Sequence, residues 1–74
     1  MNFGAKIAAM RAIRNMSQIA LSIHSGINYD YISRAELGKR EMSADQQGRI
    51  RIALDFPIEL DVLLEQIEQG GYPK

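Results

Sequence analysis

The chain has 74 residues, no cysteine and a formal net charge of zero at neutral pH. That length accommodates one domain with a thin core, so help from a partner or a second copy is expected, and the missing cysteines exclude a disulfide framework and a thiolate metal site. There is no run of about 18 apolar residues, which excludes a membrane-spanning helix; the Met1–Gly4 start lacks the basic and apolar regions of a signal peptide, so a cytoplasmic location is the expectation.

Five helical patterns follow one another and no segment alternates like a strand, so the chain is expected to form a single all-α domain over residues 1–74. The first helix spans roughly 3–14, with Phe3, Ile7, Met10 and Ile13 (or Ala12) recurring at helical spacing and alanines favouring the helix. Asn15 suits a left-handed cap. Ser17 can N-cap a second helix over roughly 18–25, with Leu21 inward, and Gly26 stands where that helix stops. Asn28 opens a third helix over roughly 29–36, whose inward pair is Ile32 and Ala35, and Leu37-Gly38 end it. Ser43-Ala44-Asp45-Gln46 reads as a capping box for a fourth helix running to about Leu54, with Ile50, Ala53 and Leu54 as its core stripe. Gly48 weakens that helix by roughly 1 kcal/mol relative to alanine. Pro57 suits the first turn of a fifth helix over about 57–69, in which Leu60, Leu63, Leu64 and Ile67 share one stripe. Gly70 to Lys74 reads as a frayed end.

The zero net charge hides an asymmetry. Residues 1–54 carry eight basic and four acidic side chains, whereas residues 55–74 carry one basic and five acidic ones. This is either a basic body with an acidic C-terminal part or ordinary surface scatter.

The second and third helices, joined by a short glycine-containing turn, make a helix-turn-helix over about 17–37. In DNA-binding proteins the second helix of such a unit enters the major groove, led by its N-terminal residues; the same geometry also occurs in proteins that do not touch DNA. Ser17-Gln18, Leu21, Gly26-Ile27-Asn28, Tyr31-Ile32-Ser33-Arg34, Glu36 and Gly38-Lys39-Arg40 closely resemble the lambda-repressor-like (Xre/Cro) helix-turn-helix family, and the match extends from about residue 4 to 56. The resemblance implies a compact five-helix domain that binds double-stranded DNA sequence-specifically as a homodimer and regulates transcription in a bacterium or phage, as a repressor or controller near the nucleoid, by excluding or contacting RNA polymerase.

Residue by residue, the resemblance implies that Gln18 bonds a backbone phosphate and that Tyr29, Asp30, Ser33 and Arg34 read base edges. It implies that Lys39 and Arg40 neutralise phosphates and that Arg11 bonds Glu36 as a structural pair. The chemistry of the residues leaves alternatives open. Arg34 can take guanine O6 and N7 or hold a phosphate, and Tyr29 can pack on a thymine methyl or reach a phosphate. Asp30 either accepts from cytosine N4 or caps the start of its helix. Tyr31 and Ile32 are expected in the core, and His24 has no ligand partners in sight. Ser22 and Ser25 stand where the family usually has alanine, and Gln47 where it usually has a buried leucine. The stripe Leu60, Leu63, Leu64 and Ile67 is either a dimer interface or the closure of the monomer core. A competing reading places the same fold in protein interaction, as an antitoxin with a toxin-like partner or an antagonist of another regulator. With one histidine and no acid–base constellation in a pocket, no enzyme, metal or cofactor is expected.

Overall fold

The computed structural model describes residues 2–56 and 58–68, except the side chains of Ile58, Leu60, Asp61, Ile67 and Glu68. Five helices follow in order: α1 (Phe3–Arg14), α2 (Gln18–Ser25), α3 (Tyr29–Glu36), α4 (Ala44–Leu54) and α5 (Ile58–Glu68), with no strand among the described residues. The all-α expectation holds. Pro57 and the 70–74 end lie outside the described residues.

Local chemistry explains the boundaries. Each of the first four helices begins on a side chain that takes an otherwise orphaned amide. Asn2 accepts from the Ala5 amide at 2.8 Å, Ser17 from Ala20 at 3.0 Å, Asn28 from Asp30 at 2.8 Å and Ser43 from Gln46 at 3.2 Å. The Gln46 side chain returns the favour, accepting from the Ser43 amide at 2.9 Å and completing the capping box. Four helices end on a left-handed residue; α2 does so on Gly26 (φ 70°), with a single amide bond to the Ser22 carbonyl, and the other three end alike, on Asn15 (φ 54°), Gly38 (φ 75°) and Asp55 (φ 51°). In each of these three that residue and the next send their amides back into the last turn, as Gly38 to the Ala35 carbonyl and Lys39 to the Arg34 carbonyl. Asn15 and Gly38 stand where the sequence places them; Asp55 is not a residue its pattern singles out.

The core lies where α1 and α2 pack against both α3 and α4. Ile7, Met10, Leu21, Ile32, Ile50 and Leu54 are fully buried, and Ile27, Ala35, Met42, Phe56 and Leu64 complete the cluster. Each large apolar side chain so buried contributes roughly 1.5–3 kcal/mol. At Gly4 α1 lies close against α3: a Cβ there would stand 1.9 Å from the Ala35 carbonyl oxygen. Only glycine lets α1 lie this near to α3.

One expectation for the core is corrected. Ile13 is 58% exposed and Ala12 is exposed as well. The inward face of α1 is centred on Ile7, and helical geometry carries it from Gly4 through Ile7 to Arg11 and Arg14 rather than to position 13. Arg11 and Arg14 make polar contacts there. Arg14 donates to the Leu54 carbonyl at 2.9 Å and the Asp55 carbonyl at 2.6 Å, closing the C-terminus of α4. Gln47, standing where a buried leucine would be usual, is half-buried and donates to the Met42 carbonyl at 3.1 Å.

Candidate nucleic-acid interface

The short α3 presents two different sides. Ile32 and Ala35 are buried and Tyr31 and Glu36 are half-buried, whereas Tyr29, Asp30 and Arg34 are exposed and Ser33 is half-buried. At 3.6 residues per turn, positions 29, 30, 33 and 34 fall on one continuous outward arc. The four residues expected to read base edges therefore share one surface. Tyr29, at its leading end, is 48% exposed.

The turn that aims α3 is fixed by two serines. Ser22 donates its hydroxyl to the Ile27 carbonyl at 2.6 Å, and the buried Ser25 hydroxyl accepts from the Ile27 amide at 3.2 Å. Both backbone groups of Ile27 are thus satisfied from α2 while its side chain is buried. In sequence these serines stand out only as standing where alanine is usual in the family the chain resembles, which gives no cue to either hydrogen bond.

Behind α3 a single carboxylate joins three elements. Glu36 accepts from Arg11 Nε and Nη2, each at 2.7 Å, in a two-pronged pair, and Arg11 Nη1 donates to the Met16 carbonyl at 3.0 Å. The hydrogen bond to Glu36 raises the Arg11 pKa above its ordinary value, against the opposing effect of burial. Gln18 Nε2 also donates to Glu36, at 3.1 Å. One amide hydrogen of Gln18 is thereby committed inward and the second remains for an outside acceptor. The sequence contains no local cue for this link, since Gln18 and Glu36 are 18 residues apart.

Beyond α3, Lys39 and Arg40 are exposed. The Arg40 guanidinium lies 4.6 Å from the centroid of the Tyr31 ring, and the Tyr31 hydroxyl donates to the Glu41 carbonyl at 2.7 Å. Among the described residues no carboxylate pairs with Lys39 or Arg40. Asp30 and Arg34 do pair, at 3.0 Å across one helical turn. Asn28 accepts the Asp30 amide as the side-chain cap of α3, and Asp30 stands in the first turn, where a carboxylate faces the positive end of the helix dipole.

On α5, Leu64 is buried in the chain's own core and Leu63 is half-buried, while the side chains of Leu60 and Ile67 lie outside the described residues. His24 is exposed in the last turn of α2. Among the described residues no group of three or more His, Cys, Asp or Glu side chains is placed to hold a metal, and no helix is long and apolar enough to cross a membrane. Comparisons with protein-family models, with curated proteins and with solved structures return no match.

Proposed function

We propose that the protein is a sequence-specific regulator that binds double-stranded DNA, with α2 and α3 acting as a helix-turn-helix and α3 lying in the major groove. The observation that carries this reading is the outward arc of α3, on which Tyr29, Asp30, Ser33 and Arg34 stand together above a buried Ile32–Ala35 side. Polar side chains on one face of a helix braced from behind by Glu36 suit base-edge recognition. Gln18 at the start of α2, with Lys39 and Arg40 after α3, flank that arc as phosphate contacts. Two copies on a two-fold symmetric site would place their half-sites about one helical turn apart. In this proposal α5 joins the copies through Leu60, Leu63 and Ile67, with Leu64 closing the core beneath.

Selection of bound duplexes from a random pool at low salt tests the reading. The expected product is an enriched palindrome; a pool that emerges unenriched would sink the proposal. The homodimer is tested separately by sedimentation at micromolar concentration, where a clean 8.3 kDa species with and without the selected DNA would refute it.

A second reading, a protein-binding module on the same fold, is favoured by Ile19 (62% exposed) and Ile23 (75% exposed). They sit one turn apart on the outer side of α2, opposite the buried Leu21 and Ser25. Replacing both with serine leaves DNA selection intact under the first reading and abolishes function under the second.

A further inference from the structure

Arg34 and Arg49 are each paired through Nε with a carboxylate one helical turn earlier, Asp30 Oδ2 at 3.0 Å and Asp45 Oδ2 at 3.2 Å, but only the Arg34 pair stands on the outward arc of α3. Arg11 uses Nε and both Nη groups internally, and Arg14 uses Nε and Nη2 on carbonyls. Arg34 bonds Asp30 Oδ2 through Nε alone, at 3.0 Å, and among the described residues neither Nη group is engaged. Both partners stand on the outward arc of α3, with side chains 56% and 69% exposed. An ion pair this open adds little to stability. The side-chain cap of α3 is Asn28, which accepts the Asp30 amide, so the Asp30 carboxylate makes its one described hydrogen bond to Arg34. What the pair does is occupy Nε, leaving the two Nη groups, a pair of parallel donors, open on an exposed side chain.

Two adjacent donors in a plane match two adjacent acceptors. In the major groove only guanine offers that, through O6 and N7; adenine sets a donor beside its acceptor, thymine a methyl, and cytosine a donor. We propose that Asp30 is a positioning residue that holds Arg34 for two-pronged reading of a guanine, so that each half-site contains a G·C pair beneath Arg34. This rests on the DNA-binding reading above. The arrangement has a signature of its own. Asp30 cancels the Arg34 charge and repels phosphate, so removing it strengthens binding to arbitrary DNA while weakening discrimination. A residue that only supported the fold would not move the two in opposite directions.

The test uses duplex selection and competition titrations with the parent protein, D30A, D30N, R34A and the D30A/R34A double variant, with circular dichroism melting to show that each folds. The parent is expected to prefer guanine at one position of each half-site by roughly 10- to 100-fold. R34A removes that preference. D30A reduces it several-fold and tightens binding to random duplex, and D30N, which keeps an acceptor for Nε, retains more of it than D30A. In the R34A background, D30A changes nothing at that position, the mark of a residue that acts through Arg34. The proposal is overturned if D30A leaves the guanine preference at the parental value. It is equally overturned if loss of Asp30 erases a cytosine preference that survives in R34A, because Asp30 would then read a base directly. A parent protein that enriches no sequence overturns the DNA-binding reading itself, and this inference with it; the other two failures leave that reading standing.

Discussion

Gly4 and Gly48 are both helical, and their surroundings are opposite. A methyl group at position 4 would collide with the Ala35 carbonyl oxygen, a backbone atom that cannot step aside without moving α3, whereas at position 48 nothing lies within 4 Å. Gly4→Ala is therefore expected to destabilise the protein by about 3 kcal/mol, overpacking outweighing the gain in helix propensity. Gly48→Ala is expected to stabilise it by about 1 kcal/mol, since only the propensity term applies. Urea unfolding of the two variants, made side by side, checks both signs. The sequence exposes the second effect and conceals the first: helix propensity is local, but the closeness of α1 to α3 exists only once the chain is folded. Arg40 belongs to the same scale. Its guanidinium is parked on Tyr31 and pairs with no described carboxylate. If it neutralises one phosphate per copy, Arg40→Ala should make the slope of log K against log salt shallower by about one unit per protomer without altering which sequence is preferred.

At the scale of elements, the helix boundaries were legible because each is written in a few adjacent residues. Ser17, Asn28 and the Ser43–Gln46 box cap the helices that the periodicity predicts, and Asn15, Gly26 and Gly38 take up positive φ where those helices stop. The inward face of α1 was less legible. Apolar spacing points to Ile13, yet the face runs on through Arg11 and Arg14, because arginines with fixed acceptors serve at a helix junction as well as hydrocarbons do. The turn between α2 and α3 was half legible: Gly26 and Asn28 announce it, and the two serines that hold Ile27 do not. Ser22→Ala removes the hydroxyl donor to the Ile27 carbonyl and is expected to destabilise the protein by about 1 kcal/mol. Faster amide exchange through residues 26–28 than elsewhere in the variant would show that the loss is felt at the turn; a uniform change would not fit.

For the whole molecule, the charge asymmetry is real in sequence but is partly consumed inside the fold. Of the basic groups in residues 1–54, Lys6 bonds Glu65 at 2.6 Å, Arg11 bonds Glu36, and Arg14 closes α4. Arg51 lies between the rings of Phe3 and Phe56, 5.2 Å from each centroid. These contacts tie the acidic C-terminal helix and the segment before it to α1, and they leave Arg34, Lys39 and Arg40 around α3 and Arg49 on α4 as those that face outward. The Lys6 hydrogen bond holds the Glu65 carboxyl below its ordinary pKa, against the opposing effect of desolvation. A carboxyl depressed in the folded state contributes stability above the unfolded value and loses it as pH falls through the folded one. The difference in melting temperature between the parent and Glu65→Gln should accordingly hold steady near neutrality and shrink below about pH 4. A difference that persisted unchanged into acid would show that the ion pair is not its cause.

The carboxylate of Glu36 has a historical consequence. Because it receives Arg11 from α1 and Gln18 from α2 while belonging to α3, neither Arg11 nor Glu36 can change alone without stranding a charge in a half-buried place, and loss of Glu36 strands the Gln18 donor as well. Losing Glu36 alone is expected to cost about 3 kcal/mol, yet a coordinated exchange of the arginine and glutamate for well-packed apolar residues need cost little. Among natural variants of this chain, positions 11 and 36 should therefore be inherited as a linked pair, with position 18 following them, and intermediates that carry only half of the exchange should be rare.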